Sequence, residues 1–270
     1  MLFMLHSHTI WEDVNMTLYQ SLGLEGNGVI SIVGAGGKTS LMFCLAREIS
    51  EFGHTVLTTT TTKIMMPTSE QAAHVILNPS IQSLLDRAAA LLSKNNHLCA
   101  ASARLSDQPE KITGFEPDFI DRLKHSDLFR WIIVEADGAA QMPLKAPAAH
   151  EPVIPDSSSW VVGLMGLKAI GKPLEPGYVF RSERFASITG IPKGHPITVN
   201  SLVQAAIHPQ GVFKGTPAGA RKILFLNTAG IADRWTTGKK VAATIAESDI
   251  NHSIHRLVVG SPLEGEAVCL

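Results

Sequence analysis

A glycine cluster between a strand pattern and a helix pattern constrains the fold of this chain more than any other segment. The β-branched run 29–33 leads into Gly34–Gly37, and a helical pattern opens directly afterwards. Glycine backbone N–H groups can approach phosphate oxygens closely, and a helix N-terminus adds positive potential. The segment therefore predicts a phosphate-binding loop made of Gly34, Ala35, Gly36, Gly37, Lys38, Thr39 and Ser40.

Two residues of this loop have distinct expected roles. Lys38 is expected to reach the β- and γ-phosphates, and the Thr39 hydroxyl is expected to bind Mg²⁺. The spacing follows a short G-x-x-G-K-T form that resembles the loop of Mur ligases and folylpolyglutamate synthetases, because Ile32 stands where the longer common form begins with glycine. The alternative, a dinucleotide fingerprint, is disfavoured because Thr39 occupies its third glycine position. ATP or GTP with Mg²⁺ is the predicted ligand.

Strand and helix patterns alternate through the rest of the chain. Strand patterns lie at 55–59, 74–77, 97–101, 131–135, 160–164, 222–227 and 255–259, and helix patterns at 80–92, after 117, at 201–207 and at 239–247. This alternation predicts an α/β fold, a P-loop NTPase-like three-layer sandwich with a mostly parallel sheet. Residues 1–270 are expected to form a single domain, with 143–155 as the one candidate boundary.

Charge and cysteine content exclude several function classes. The chain has 23 Lys and Arg against 24 Asp and Glu, which leaves no basic surface for nucleic acid or an anionic membrane. Three cysteines are too few for a disulfide framework, and no apolar run is long enough for a membrane helix. The apolar start 1–5 lacks the basic residues of an export signal. These features predict a cytoplasmic protein with a small-molecule ligand.

Two carboxylates follow the strongest strand pattern. Glu135 ends the run 131–135, and Asp137 comes two positions later, so both point to one side while the chain stays extended. P-loop proteins hold Mg²⁺ with a carboxylate at such a strand end. Glu135 is the expected metal ligand and both are catalytic candidates, although Asp137-Gly138 is also compatible with a plain turn.

A run of threonines ends the strand that follows the predicted loop helix. Open α/β sheets place their ligand crevice at this end of the strands. Thr61 and Lys63 are predicted to act in catalysis, and Thr62 to complete the Mg²⁺ shell. Thr58 and Thr59 are equally well explained by the β-propensity of threonine.

Charged residues in two later segments are candidates for substrate binding. Lys145, His150 and Glu151 lie in a Pro-rich segment that could form a substrate rim or a rigid connector. Arg181 and Arg184 could clamp a phosphate or an anionic substrate, or simply belong to a helix start.

Asn227 is a further candidate for nucleotide binding. It ends the strand pattern 222–227, as the asparagine of the guanine-reading N-K-x-D motif does, but Thr228 and Gly230 replace the lysine and aspartate. The choice between ATP and GTP therefore stays open.

Six segments in order resemble the YqeC family, whose members are described as selenium-dependent hydroxylase accessory proteins or selenium cofactor biosynthesis proteins. The segments are 33–40, 58–64, 111–115, 134–139, 143–147 and 150–152. The resemblance extends over about residues 18–259. It implies Gly34–Thr39 as phosphate ligands and Glu135 and Asp137 as metal or catalytic residues. It also implies a selenium- or molybdenum-cofactor species and a molybdenum hydroxylase as partners.

Three functional hypotheses follow. The leading one is a Mg²⁺-dependent enzyme that hydrolyses a nucleoside triphosphate or transfers its γ-phosphoryl group during selenium cofactor maturation. The second is a chaperone-like binding protein whose nucleotide governs docking with little turnover. The third is a Mur-like ATP-dependent ligase, which would need an acyl-phosphate chemistry.

Overall fold

The computed structural model describes residues 16–269. The strands are β1 (Gly28–Gly34), β2 (Val56–Thr60), β3 (Lys63–Met65), β4 (Val75–Leu77), β5 (His97–Ala101), β6 (Ala103–Arg104), β7 (Lys111–Thr113), β8 (Trp131–Glu135), β9 (Leu144–Lys145), β10 (Ser158–Gly166), β11 (Val179–Phe180), β12 (Arg221–Asn227), β13 (Arg256–Ser261) and β14 (Glu266–Cys269). The helices are α1 (Leu18–Ser21), α2 (Lys38–Glu51), α3 (Ile81–Leu92), α4 (Pro117–Lys124), α5 (Ser182–Thr189), α6 (Val199–Ile207) and α7 (Arg234–Ser248). None of the helices in this range is long and apolar enough to cross a membrane.

The main sheet has nine strands in the order β14-β13-β12-β10-β1-β8-β2-β5-β4. All neighbouring pairs of this sheet are parallel except β13 and β14, which are antiparallel. Because β1 lies directly between β8 and β10, the turn after β1 opens beside the carboxyl end of β8. The register pairs Ile32 with Glu135 and fixes this neighbourhood.

Helices cover both faces of the sheet. Val29 and Ile132 belong to a core shared with α3, α4, α5, α6 and α7. Their neighbours Ile30 and Ile133 belong to a second core shared with α1 and α2. Strand side chains alternate between the two faces, so runs that are apolar at every position become buried on both sides. The predicted α/β three-layer fold with a mostly parallel sheet is confirmed.

Several element predictions need correction. The strand at 256–261 is not the last, because β14 follows it after the tight turn at Gly265 and pairs antiparallel. Helix α7 begins at Arg234, earlier than the predicted 239. Strands β3, β7 and β6 form a small antiparallel sheet. Strand β9, which lies in the segment 143–155, pairs in parallel with β11, which lies beyond that segment. These strands have two or three residues, too few to show a period of two. The apolar start 1–5 lies outside the described residues.

Candidate functional site

The loop between β1 and α2 requires glycine for two physical reasons. Gly34, Gly36 and Gly37 have φ values of 88°, 89° and 115°, in the region that disfavours a side chain. A Cβ at Gly36 would also lie 2.8 Å from the backbone of Gly166 and of Pro143. The glycine cluster therefore lets the loop fold tightly against two neighbouring segments at the carboxyl edge of the sheet.

Lys38, the first residue of α2, turns its buried ammonium group back into this loop. Its Nζ donates to the Gly34 carbonyl at 2.8 Å and lies 3.1 Å from Asp137 Oδ1 and 3.8 Å from Glu135 Oε1. Burial disfavours the charged amine, but the two carboxylates outweigh it and hold the pKa of Lys38 above its ordinary value. The lysine is therefore a fixed positive charge at the base of the loop.

Thr39 and Glu135 meet at the same point from two different elements. The Thr39 hydroxyl donates to Glu135 Oε2 at 2.7 Å. Burial raises the pKa of Glu135, and the nearby Lys38 charge opposes this rise. The pair presents adjacent hydroxyl and carboxylate oxygens, which are hard ligands of the kind that Mg²⁺ prefers. Within residues 16–269 no group of three or more His, Cys, Asp or Glu could hold a metal. Such an ion would take its other ligands from phosphate and water.

Asp137 contacts three residues from different parts of the site. Its Oδ2 accepts from the Gly34 N–H at 3.1 Å and lies 2.9 Å from Lys145 Nζ, while Oδ1 faces Lys38. The side chain is almost fully buried. It therefore fixes the glycine loop and the lysine of α2 relative to the segment around Lys145.

A chain of ion pairs continues from Asp137 towards α5. Lys145 Nζ lies 2.7 Å from Glu151 Oε2 and donates to the Gly138 carbonyl at 2.6 Å. Arg181 binds both oxygens of Glu151, at 2.7 and 3.0 Å, and its guanidinium stacks on Phe180. Partial burial raises the pKa of Glu151, but the hydrogen bonds from Arg181 and Lys145 prevail and lower it to about 2. The sequence predicted that the segment of Lys145 forms a substrate rim or a rigid connector, and the Lys145 ammonium group lies inside the protein.

The other two predicted substrate residues form no ion pair with this chain within residues 16–269. His150 is exposed at the surface, and Arg184 is half-buried. Lys214, which the sequence analysis missed, donates to the carbonyls of Ala148, Ala149 and Glu151 at 2.6–2.9 Å. The Lys214 ammonium therefore holds the turn that presents Glu151.

The threonines after β2 contact their neighbours in different ways. The Thr60 hydroxyl donates to the Glu135 carbonyl at 2.7 Å and pairs with the Thr62 hydroxyl at 3.1 Å. The Thr61 hydroxyl donates to the Val153 carbonyl at 2.7 Å. Lys63 is exposed. The threonine hydroxyls thus connect this turn to the strand end that carries Glu135.

Asn227 reaches the glycine loop from the end of β12. Its amide nitrogen donates to the Gly36 carbonyl at 2.6 Å, and its oxygen accepts from the Ala229 N–H at 3.0 Å. The side chain therefore lies at the predicted nucleotide loop and holds its backbone.

An open cleft of about 670 Å³ extends from the glycine loop over the carboxyl edge of the sheet. This volume is within the range of small-molecule sites. Its walls are formed by Gly36, Gly37, Lys38, Thr39, Ser40, Lys63, Ile64, Met65, Gln71, Lys111, Glu135, Gly138, Ala139, Ala140, Gln141 and Met142. Residues 36–40 of the predicted loop, Glu135 and Lys63 therefore border one space.

Comparison with known proteins agrees with the motifs. A family model described as YqeC protein matches residues 30–183. The Escherichia coli (strain K12) protein named "Uncharacterized protein YqeC" is 41% identical over 199 residues, which cover 74% of this chain and 75% of the relative. The chain belongs to the YqeC family. The chloroplast FtsY structure from Physcomitrella patens is similar to 96% of this chain, with 67% of FtsY covered, at 15% identity and a TM-score of 0.35.

The YqeC family match covers the loop, both carboxylates and the ion-pair chain as far as Arg181. Asn227 and Lys214 lie beyond the matched range. Lys111 and Met65, which also border the cleft, were missed as site residues in the sequence. Lys111 stands in one of the family-like segments, beside the apolar Ile112, and this position is only a weak indication of a site residue.

Proposed function

We propose that this YqeC-family protein binds a nucleoside triphosphate with Mg²⁺ at the loop Gly34–Ser40. The observation that carries the proposal is the 2.7 Å contact between Thr39 Oγ1 and Glu135 Oε2, beside the ammonium group of Lys38. This contact supports a cation-binding pair next to a phosphate-binding loop at one edge of the sheet.

Each group would have a defined task. Lys38 and the loop N–H groups would stabilise charge on the β- and γ-phosphates, and Thr39 and Glu135 would hold Mg²⁺. The ion would neutralise charge on the phosphate oxygens. The Thr60 hydroxyl and the Thr61 N–H would keep the turn after β2 against the Glu135 carbonyl, and Lys63 would face the bound substrates from the opposite wall. Asn227 and Asp137 would act as positioning residues.

The reaction that fits these groups is hydrolysis of the triphosphate or transfer of its γ-phosphoryl group. We place it in selenium cofactor biosynthesis and the maturation of selenium-dependent molybdenum hydroxylases. The motif resemblance supports this placement. A selenium- or molybdenum-cofactor species would be the substrate, and a molybdenum hydroxylase the partner. Arg181, Arg184 and the exposed His150 are the residues proposed to border a partner on the outer side of the ion-pair chain.

Thermal unfolding with added nucleotides tests the proposal. A ligand that binds only the folded state raises the melting temperature by about 5–10 °C when its concentration is about 100-fold above Kd. We expect such a rise with Mg-ATP or Mg-GTP, a smaller one without Mg²⁺ and none with the matching nucleoside. No rise with any triphosphate would contradict the proposal.

A second candidate is a binding protein whose nucleotide governs docking with little turnover. The ion-pair chain favours this candidate, because it connects the glycine loop to a half-exposed guanidinium group. The chain runs from Lys38 through Asp137, Lys145 and Glu151 to Arg181. Turnover measured with and without a molybdenum hydroxylase separates the two. A negligible rate in both cases, with nucleotide bound, would support the binding protein over the enzyme.

A further inference from the structure

The wall of the cleft opposite the glycine loop is an antiparallel pair of strands, β3 and β7. Ile64 pairs with Ile112, and both are buried in the core. Their neighbours therefore project the other way: Lys63 and Met65 are exposed on β3, and Lys111 stands opposite Met65 on β7. One face of this small sheet thus presents two lysines and a methionine, and all three border the cleft.

The two lysines have no acidic partner among residues 16–269. Lys63 makes no side-chain hydrogen bond or ion pair within that range, and Lys111 donates to the neutral Gln108 amide oxygen at 2.6 Å. They are diagonal neighbours on one face, so their charges repel each other. An anion placed between them would replace that repulsion with two charge-assisted contacts.

The acidic side of the cleft does not neutralise these lysines. Among the residues that border the cleft, Glu135 is the one carboxylate, and it is engaged by Thr39 and Lys38. The lining then carries the positive charges of Lys38, Lys63 and Lys111 against this single negative charge. When the phosphates of a bound nucleotide neutralise Lys38, the positive charges of Lys63 and Lys111 on the β3–β7 wall stay unbalanced.

The same wall is also partly apolar. Met65 is 46% exposed, although its side chain is large and apolar. The half-buried Met142 also borders the cleft. Methionine adapts to irregular ligands through its flexible, polarisable thioether, so this surface suits the organic part of a molecule.

We propose that the β3–β7 wall binds a second substrate, an organic anion with a phosphate or carboxylate group. Lys63 and Lys111 would bind the anionic group, and Met65 would contact the organic part. This inference rests on the proposed function, since the glycine loop would hold the triphosphate across the same cleft. It assigns binding roles to Lys111 and Met65, and it gives Lys63 a ligand class.

Calorimetric titration of the full chain, saturated with a non-hydrolysable ATP or GTP analogue and Mg²⁺ at low salt, tests the inference. The probes are phenyl phosphate, phenylacetate and orthophosphate. Phenyl phosphate or phenylacetate should bind, and the stronger of the two identifies the anionic group. Orthophosphate should bind more weakly because it has no organic part. Lys63→Gln and Lys111→Gln should each weaken binding by about tenfold, since each removes one contact to a charged group.

Two controls keep the outcomes distinct. Lys94→Gln removes an exposed charge beyond the far end of α3 and should leave probe binding unchanged. Met65→Ala should weaken phenyl phosphate more than orthophosphate. If the loaded protein binds none of the probes, or binds them equally well in both lysine variants, the inference fails while the nucleotide site stands. If the nucleotide analogue itself does not bind, the proposed function fails and the inference fails with it.

Discussion

Lys145 Nζ lies 2.9 Å from Asp137 Oδ2, inside the protein, while the other oxygen of that carboxylate faces Lys38 at 3.1 Å. One buried carboxylate is therefore shared between the lysine of the glycine loop and a lysine from the Pro-rich segment. Lys38 also pairs with Glu135, and Lys145 also pairs with Glu151, so the displacement of either lysine would break two ion pairs. The position of the candidate phosphate loop is thus coupled to residues 145–151.

Replacing Lys145 tests this coupling. Lys145→Met keeps the length of the side chain but leaves Asp137 and Glu151 without their shared cation, so we expect a loss of about 3–5 kcal/mol in the free energy of unfolding. Urea unfolding followed by circular dichroism measures it. The exposed Lys168→Met variant is the control and should change stability by less than about 0.5 kcal/mol. Equal stabilities of the two variants would show that the buried pairing is not important.

Acid titration tests the Glu151 cluster. The pKa of Glu151 falls from 4.5 to about 2 in the folded protein, so the folded state holds this proton less tightly than the unfolded state. Its contribution to stability is complete above about pH 4.5 and is lost as the pH falls towards 2. Glu151→Gln should be less stable at neutral pH and show a shallower decline between pH 4.5 and 2 than wild type.

The exposed Glu70→Gln variant is the matched control for this titration. Because Glu70 is exposed, its replacement should change the unfolding free energy at neutral pH by less than about 0.5 kcal/mol. If the curve of Glu151→Gln runs parallel to the wild-type curve, the ion pairs to Lys145 and Arg181 do not lower the pKa of Glu151.

Two glycine substitutions separate backbone strain from steric overlap. Gly53 has φ 80° with open space around it, so Gly53→Ala should cost about 1–2 kcal/mol for the left-handed conformation alone. Gly34 has φ 88°, and a Cβ there would overlap the Leu164 carbonyl oxygen. Gly34→Ala should therefore lose more stability than Gly53→Ala and should also lose nucleotide affinity. Equal unfolding midpoints in urea would contradict the tight loop packing.

The metal assignment predicts a selective loss. Thr39→Val keeps the shape of the side chain but removes the hydroxyl next to Glu135, so triphosphate affinity with Mg²⁺ should fall by about tenfold. Affinity in the presence of a chelator should stay close to the wild-type value. Calorimetry under both conditions measures the difference. An equal loss under both conditions would place the Thr39 hydroxyl on the phosphate rather than on the metal.

Much of the fold could be predicted because its strands carry strong local signals. Strands β1 and β8 are buried at every position, and such apolar runs identify central parallel strands. The meeting of the glycine loop with Glu135 follows from the same rule, since parallel strands end at one edge. Strand β14 was missed because its four residues follow a turn and pair antiparallel, against the pattern of the rest of the sheet.

The inner contacts of the site could not be predicted in the same way. Whether Lys145 turns inward depends on the path of the chain after Asp137, where Ala140 and Gln141 both adopt positive φ although neither is glycine. Lys214 reaches the carbonyls around Glu151 from a distant turn. Such contacts depend on how loops pack in three dimensions, and no periodicity in the sequence encodes them.

Binding of a nucleoside triphosphate by Lys38 is the central claim, and calorimetry with Mg-ATP and Mg-GTP tests it most directly. Wild type should bind at least one of these nucleotides. Lys38→Ala should bind it at least about tenfold more weakly, because the substitution removes the buried ammonium group that would contact the phosphates. Circular dichroism must show that the variant is folded, with Lys168→Ala as the exposed control. Equal affinity of wild type and folded Lys38→Ala would contradict the claim.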